Sequence, residues 1–199
     1  MNTTNADYYT FNTGNSLLLL GKSGSGKSVL CETLFKRFIQ AKAPEELRFV
    51  VLDMTCHDAE ILRDEHPEYI EELVEGTHIE KAFEVLEKYA ELSKTGRPTE
   101  KSELVIFIEE CDMARYDANR YETIFKVLIS HADSARMRLI YSTSVITPQT
   151  VSQELLRTFD VVLVGHQYDS DARQYLGVPD TDDFPEYSFV VKEKESVAV

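Results

Sequence analysis

The segment Gly21-Lys22-Ser23-Gly24-Ser25-Gly26-Lys27-Ser28 constrains this chain more than any other feature. It follows the apolar run Ser16 to Leu20 and opens a stretch, Lys27 to Gln40, whose apolar residues recur at helical spacing. A strand, a Gly-rich turn of the form G-x-x-x-x-G-K-[ST] and a helix in that order make a phosphate cradle. Gly21, Gly24 and Gly26 let successive backbone N–H groups turn inward, with Lys22, Ser23 and Ser25 between them, and the helix N-terminus adds its partial positive charge. Lys27 is expected to bridge the terminal phosphates and Ser28 to ligate Mg2+, with Val29 closing the nucleotide-binding set.

Four further apolar runs read as buried strands: Arg48 to Leu52, Leu104 to Ile108, Arg138 to Ser142 and Val161 to Val164. Helical spacing marks Ile79 to Ser93, Ala118 to His131 and Ser170 to Leu176 between or after them. Thr77 and Glu80 have capping-box spacing ahead of the first of these, and Gly96 with Pro98 stops it. Strands that are apolar throughout and separated by helices predict an α/β fold, a mainly parallel sheet covered on both faces. No repeat or low-complexity linker divides the chain, so residues 1–199 read as one domain.

Phosphate chemistry needs acids at the end of a neighbouring strand. Val105-Ile106-Phe107-Ile108-Glu109-Glu110 supplies them at the carboxyl end, where open parallel sheets place ligands. Glu109 is expected in the magnesium shell, and Glu110 is expected to orient or deprotonate an attacking water, which makes Glu110 and Lys27 the catalytic candidates. Glu109 stands where Asp is usual and is one methylene longer. The run Leu139-Ile140-Tyr141-Ser142-Thr143-Ser144 ends in hydroxyls; Thr143 is a candidate sensor of the terminal phosphate, against the plainer role of bonding nearby backbone.

Charge sets limits on partners. The 199 residues carry 35 Asp and Glu against 21 Lys and Arg, a net charge of -14, which excludes a simple basic nucleic-acid coat protein. The acid is concentrated between Asp58 and Glu91, where twelve carboxylates meet Arg63, Lys81 and Lys88. From Gly21 to Arg48 the balance reverses, with six Lys or Arg against three Glu. Cys31, Cys56 and Cys111 form no C-x-x-C pair, and an odd number fits a reducing compartment. No apolar run approaches the roughly 18 residues that cross a bilayer, so a cytoplasmic location without membrane insertion is expected.

The order of these segments resembles the FtsK/SpoIIIE motor domain of the FtsK/HerA superfamily. The likeness rests on the Gly21 to Ser28 loop, Arg48-Phe49-Val50-Val51-Leu52-Asp53, the Val105 to Glu110 strand, the Leu139 to Thr143 strand and the late Asp171-Ala172-Arg173-Gln174-Tyr175-Leu176-Gly177. It implies a RecA-like P-loop NTPase sandwich, ATP and Mg2+ as cofactors, and a homo-oligomeric ring of usually six subunits, or sister ATPase domains, that moves a polymer through its pore. It also makes Arg173 a candidate to reach a neighbouring subunit's ATP. Three family features are replaced: Asp53-Met54-Thr55 stands for Asp-Pro-Lys, Ala132-Asp133 for Gly-Arg, and Thr143-Ser144 for Thr-Gln. These replacements, and the acid-acid-x-Asp run Glu109-Glu110-Cys111-Asp112, are similar to the type VII secretion ATPase domains of the EssC/EccC group. Short viral and plasmid packaging ATPases of the superfamily share the one-domain length.

Three readings follow: a double-stranded DNA translocase or packaging ATPase, a type VII secretion ATPase domain with a secreted protein as substrate, and a nucleotide-binding module that does not hydrolyse. Other residues read plainly. His131, Asp133 and Ser134 hold the types of a hydrolase triad without a nucleophile elbow. His57 beside Cys56 lacks a second metal-spaced pair, and Asp180, Asp182 and Asp183 lack the glycine and glutamate of a calcium loop.

Overall fold

The computed structural model describes residues 2–5, 15–56, 59–96, 102–109, 113–166, 170–179, 185 and 187–193. Among the described residues eight strands form one sheet: β1 (Asn2–Asn5), β2 (Ser16–Leu20), β3 (Leu47–Asp53), β4 (Ile70–Glu75), β5 (Glu103–Glu109), β6 (Met137–Thr143), β7 (Val161–Val164) and β8 (Ser188–Glu193). Their order is β1-β8-β7-β2-β6-β5-β3-β4, and every pairing from β7 to β4 is parallel, while β8 runs antiparallel to β7 and β1 to β8. The helices are α1 (Lys27–Ala41), α2 (Ile79–Lys94), α3 (Met113–Tyr116), α4 (Ala118–His131), α5 (Gln153–Thr158) and α6 (Ser170–Leu176). This is the mainly parallel α/β sheet that the apolar runs predict, in the RecA-like form that the resemblance implies.

Both faces of the sheet are covered because its central strands carry apolar residues on both sides. Leu17 and Leu19 of β2 pack with Leu30, Leu34 and Phe35 of α1, whereas Leu18 and Leu20 pack with α2 and α4 residues such as Phe83, Leu86 and Phe125. Alternation along each strand therefore feeds two cores from one run of leucines. Phe35 meets Phe107 of β5 edge to face, with ring centroids 4.9 Å apart. That contact fixes the helix that follows the Gly-rich turn against the strand that ends in Glu109.

The strands at the sheet margins carry no continuous apolar run. β4, Ile-Glu-Glu-Leu-Val-Glu, is a charged edge strand, of the kind that discourages pairing with other chains. Much of the acidic stretch lies here and on α2, and it is bridged internally: Arg63 to Glu75 at 2.8 Å, Lys88 to Glu72 at 2.6 Å, and Arg120 to Glu87 at 2.6 Å and Glu80 at 2.8 Å. The expected capping box does not form. α2 begins at Ile79 with His78 as its N-cap and no side-chain cap, which puts Glu80 one position too early to close the box, and Glu80 pairs with Arg120 instead. Gly96, with φ 99°, ends this helix as expected.

No helix among the described residues is long and apolar enough to cross a membrane. Cys31 and Cys56 are free thiols; Cys111 lies outside the described residues, as do His57, Asp180, Asp182 and Asp183.

Candidate nucleotide site

Register brings three polar residues into a row at the carboxyl end of the sheet. Asp53 of β3 is paired with Glu109 of β5, and Glu109 with Ser142 of β6. Each continues the alternation that faces α1, after Val51, Phe107 and Ile140. Asp53 and Ser142 are fully buried and Glu109 is 4% exposed. The next strand in order is β2, which runs straight into the Gly-rich turn.

That turn is held from both sides. Gly21 N–H donates to Thr143 O at 3.4 Å, Lys22 N–H to His166 O at 3.3 Å and Gly165 N–H to Leu20 O at 2.7 Å. A side chain at Gly21 would strike Ser25 Oγ, 2.3 Å from the Cβ position. Gly24 and Gly26 have φ of 80° and 92°, the left-handed region that glycine enters without penalty. α1 then starts with no side-chain cap and no acid in its first turn, so its positive end suits an anion.

These elements enclose a cleft of about 540 Å³, lined by Ser23, Gly24, Gly26, Lys27, Ser28, Val29, Thr55, Glu109, Ser144 and Tyr187. Six residues of the predicted nucleotide set thus face one cavity, and Glu109 faces them. Gly21, Lys22 and Ser25 shape the turn from behind instead of lining the cleft. Lys27 is buried, and its Nζ donates to Gly21 O at 2.8 Å and Lys22 O at 3.4 Å, which holds the ammonium over the turn's own carbonyls. Ser28 and Glu109 offer hard oxygen donors on the same cavity, a set that fits Mg2+.

Thr55 is a site residue that the sequence did not single out. Asp53 folds the loop after β3: its Oδ1 accepts from Thr55 N at 3.1 Å and Cys56 N at 2.8 Å, and its Oδ2 from Ala59 N at 3.0 Å. That fold turns Thr55 into the cleft, where its hydroxyl donates to Glu109 Oε2. The signal lay in Asp53-Met54-Thr55 itself, an acid followed two residues later by a hydroxyl, the spacing of an Asx turn. Ser144, not Thr143, lines the cleft at the end of β6; Thr143 Oγ1 accepts from Val145 N at 3.1 Å, the plainer of its two expected roles. Tyr187 was not foreseen either. Glu110 lies outside the described residues, and Arg173 sits half-buried on α6 and does not line the cleft.

Several alternatives find their partners elsewhere. His131 Nδ1 lies 3.0 Å from Val127 O, a contact within its own helix. Arg138 pairs with Glu103 at 2.6 Å, and Arg120 is committed to α2.

Residues 2–94, just under half of the chain, match the model of the FtsK/SpoIIIE family and carry the phosphate cradle and β3. Over that stretch the chain is FtsK/SpoIIIE-like, and its fold is that of a P-loop ATPase. The same fold recurs over nearly all of this chain in the cytoplasmic domain of the type VII secretion ATPase EccC from Thermomonospora curvata, with a TM-score of 0.70 and 18% identity over 95% of this chain and 23% of that one. EssC ATPases 2 and 3 from Geobacillus thermodenitrificans give 0.71, with 16% identity over 93% of this chain and 39% of theirs. The genome-packaging NTPase B204 of Sulfolobus turreted icosahedral virus 2, in complex with ATP-gammaS, gives 0.60 with 14% identity over 92% of this chain and 94% of its own. This chain therefore spans well under half of the EccC and EssC chains and nearly all of B204. No curated protein sequence matches it.

Proposed function

We propose that this FtsK/SpoIIIE-type domain hydrolyses ATP as one subunit of a six-membered ring motor that drives double-stranded DNA. The observation that carries the hydrolytic part is the single cleft in which Lys27 and Ser28 face Glu109 and Thr55. The Gly-rich turn and the start of α1 bind the triphosphate through backbone N–H groups, and Lys27 shifts from Gly21 O to the terminal phosphates. Ser28 and Glu109 hold Mg2+, which when bound supplies charge neutralisation at the phosphates. Thr55 fixes the Glu109 carboxylate. Glu110, the next residue, orients the water or takes its proton, and Arg173 of a neighbouring subunit is the candidate to complete the site. A cytoplasmic location belongs to this reading.

A nucleic-acid cargo is supported by the likeness to the genome-packaging NTPase B204, which extends over nearly the whole of both chains. The basic excess around the turn supports it less than its count suggests. Lys27 is in the cleft, Lys36 pairs with Glu32, Lys42 with Glu103 and Arg48 with Glu71. The exposed pairs Lys36–Glu32 and Arg48–Glu71 are worth under about 1 kcal/mol and exchange readily for phosphate, and a ring multiplies each cation sixfold. The second reading, a type VII secretion domain acting on exported protein, is favoured by the net charge of -14 and by the higher TM-scores of EccC and EssC.

The test is an ATPase titration with linear duplex DNA across protein and salt concentration. DNA motors show stimulation that appears as the ring assembles and fades between about 50 and 200 mM salt. An assembled ring that hydrolyses ATP and ignores DNA at low salt transfers the assignment to the secretion reading.

A further inference from the structure

Tyr187 enters the cleft from the side opposite to the acids. Glu109, Thr55 and Ser144 reach it from β5, the loop after β3 and the end of β6, which lie on one side of β2 in the sheet order. Tyr187 immediately precedes β8, which lies on the other side, beyond β7. Because β8 runs antiparallel to β7, its first residues sit at the same carboxyl end of the sheet as the phosphate cradle.

The ring is placed there at a cost. Tyr187 has φ 60°, a left-handed conformation that is uncommon for a bulky residue, and such outliers persist where the surroundings over-determine them. It is also one of two large hydrophobic side chains among the described residues that remain exposed, at 37%. One edge of it lies on Gly26: a Cβ at that glycine would stand 2.7 Å from Tyr187 Cδ1 and 2.9 Å from its Cβ. Gly26 is thus required for close approach of this ring as well as for its own φ of 92°.

We infer that Tyr187 is the base platform of the nucleotide site, a ring on which the nucleobase stacks while the triphosphate lies over the Gly-rich turn toward Glu109. The inference rests on the nucleotide reading of the cleft. It follows from the polarity of the cavity: the phosphate donors and hard oxygen ligands are gathered at its centre and on the β6-β5-β3 side, which leaves the β7-β8 side, with an aromatic face, for the apolar part of the ligand. Stacking reads the face of a base and not its edge, so this residue adds affinity for ATP and GTP alike.

Calorimetry on the intact chain with ATP, GTP and inorganic tripolyphosphate tests this, with three variants. Tyr187→Asn removes the ring while keeping a residue that tolerates the left-handed backbone, and Tyr187→Phe keeps the ring. ATP and GTP are expected to bind roughly tenfold more weakly, or worse, to Tyr187→Asn, as loss of one base-stacking contact implies, with wild-type affinity in Tyr187→Phe. Tripolyphosphate, which has no base, is expected to bind wild type and Tyr187→Asn equally, and to be lost in Lys27→Ala. Unchanged ATP affinity in Tyr187→Asn overturns the platform while leaving the phosphate site intact. A parallel loss of tripolyphosphate overturns it too, because the ring then only braces Gly26. A wild-type protein that binds neither ATP nor tripolyphosphate removes the nucleotide reading itself.

Discussion

The hydroxyl of Thr55 donates to Glu109 while standing 3.1 Å from Asp53 Oδ1, so one proton serves a site where two carboxylates are both withdrawn from water. Asp53 already accepts three backbone N–H groups, from Thr55, Cys56 and Ala59. The Thr55 proton is therefore left to Glu109. In this way the loop after β3 sets the direction of the carboxylate on β5.

Replacing Thr55 with Val keeps the shape and removes that donor. A hydrogen bond to a charged group contributes about 1.5–3 kcal/mol, and here its loss falls on the carboxylate that is to hold the metal. Turnover at limiting Mg2+ is expected to drop about tenfold or more, with ATP affinity in the absence of Mg2+ unchanged. Steady-state ATPase measured across Mg2+ concentration decides it; an unaltered Mg2+ dependence separates Thr55 from the metal site.

Much of this architecture is legible in the residues because the central strands are apolar on both faces. β2, β7, α4 and α6 have the boundaries their sequence predicts, and β3, β5 and β6 each extend one residue beyond at both ends. The margins are not legible. β4 reads Ile-Glu-Glu-Leu-Val-Glu and β1 reads Asn-Thr-Thr-Asn, and each is a strand through pairing with its neighbour, not through its own pattern. α5 has only six residues, capped by Ser152, which accepts from Leu155 N. The cleft divides in the same way. Local spacing reveals Lys27, Ser28 and Glu109, whereas Thr55 and Tyr187 reach the site only through sheet order, which joins segments far apart in the chain.

Lys27 is a strap across the turn and, on the proposed reading, a phosphate ligand. Its Nζ, 2.8 Å from Gly21 O, holds the turn closed and is the mobile cation aimed at the cleft. Lys27→Ala is expected to weaken ATP binding at least tenfold, from loss of a charge-assisted contact of about 1.5–3 kcal/mol. Titration calorimetry on a variant with native circular dichroism checks it, and unchanged affinity refutes the phosphate cradle.

Glu103, at the start of β5, tests the electrostatics away from the cleft. Burial pushes its carboxyl upward, but the hydrogen bond from Lys42 and the nearby Arg138 outweigh this and hold it below the usual carboxylate value of 4.5. A group depressed on folding contributes stability above its unfolded value and loses it as pH falls through the folded value. Glu103→Gln is therefore expected to cost about 1–3 kcal/mol near neutral pH, and the difference is expected to shrink as pH drops below 4.5. Denaturant midpoints of both proteins across that range measure it; a pH-independent difference contradicts the ion-pair account.

The most direct measurement of the account is ATP binding and ATP turnover determined side by side for wild type and Glu110→Gln, with Mg2+ present and the protein concentrated enough to assemble. Glutamine keeps size and polarity but removes the carboxylate proposed as the base, so the variant is expected to bind ATP as wild type does while turnover falls by about 100-fold or more. Equal hydrolysis by both proteins at a substantial wild-type rate would remove Glu110 as the base, and no wild-type turnover above background would contradict hydrolysis at this cleft.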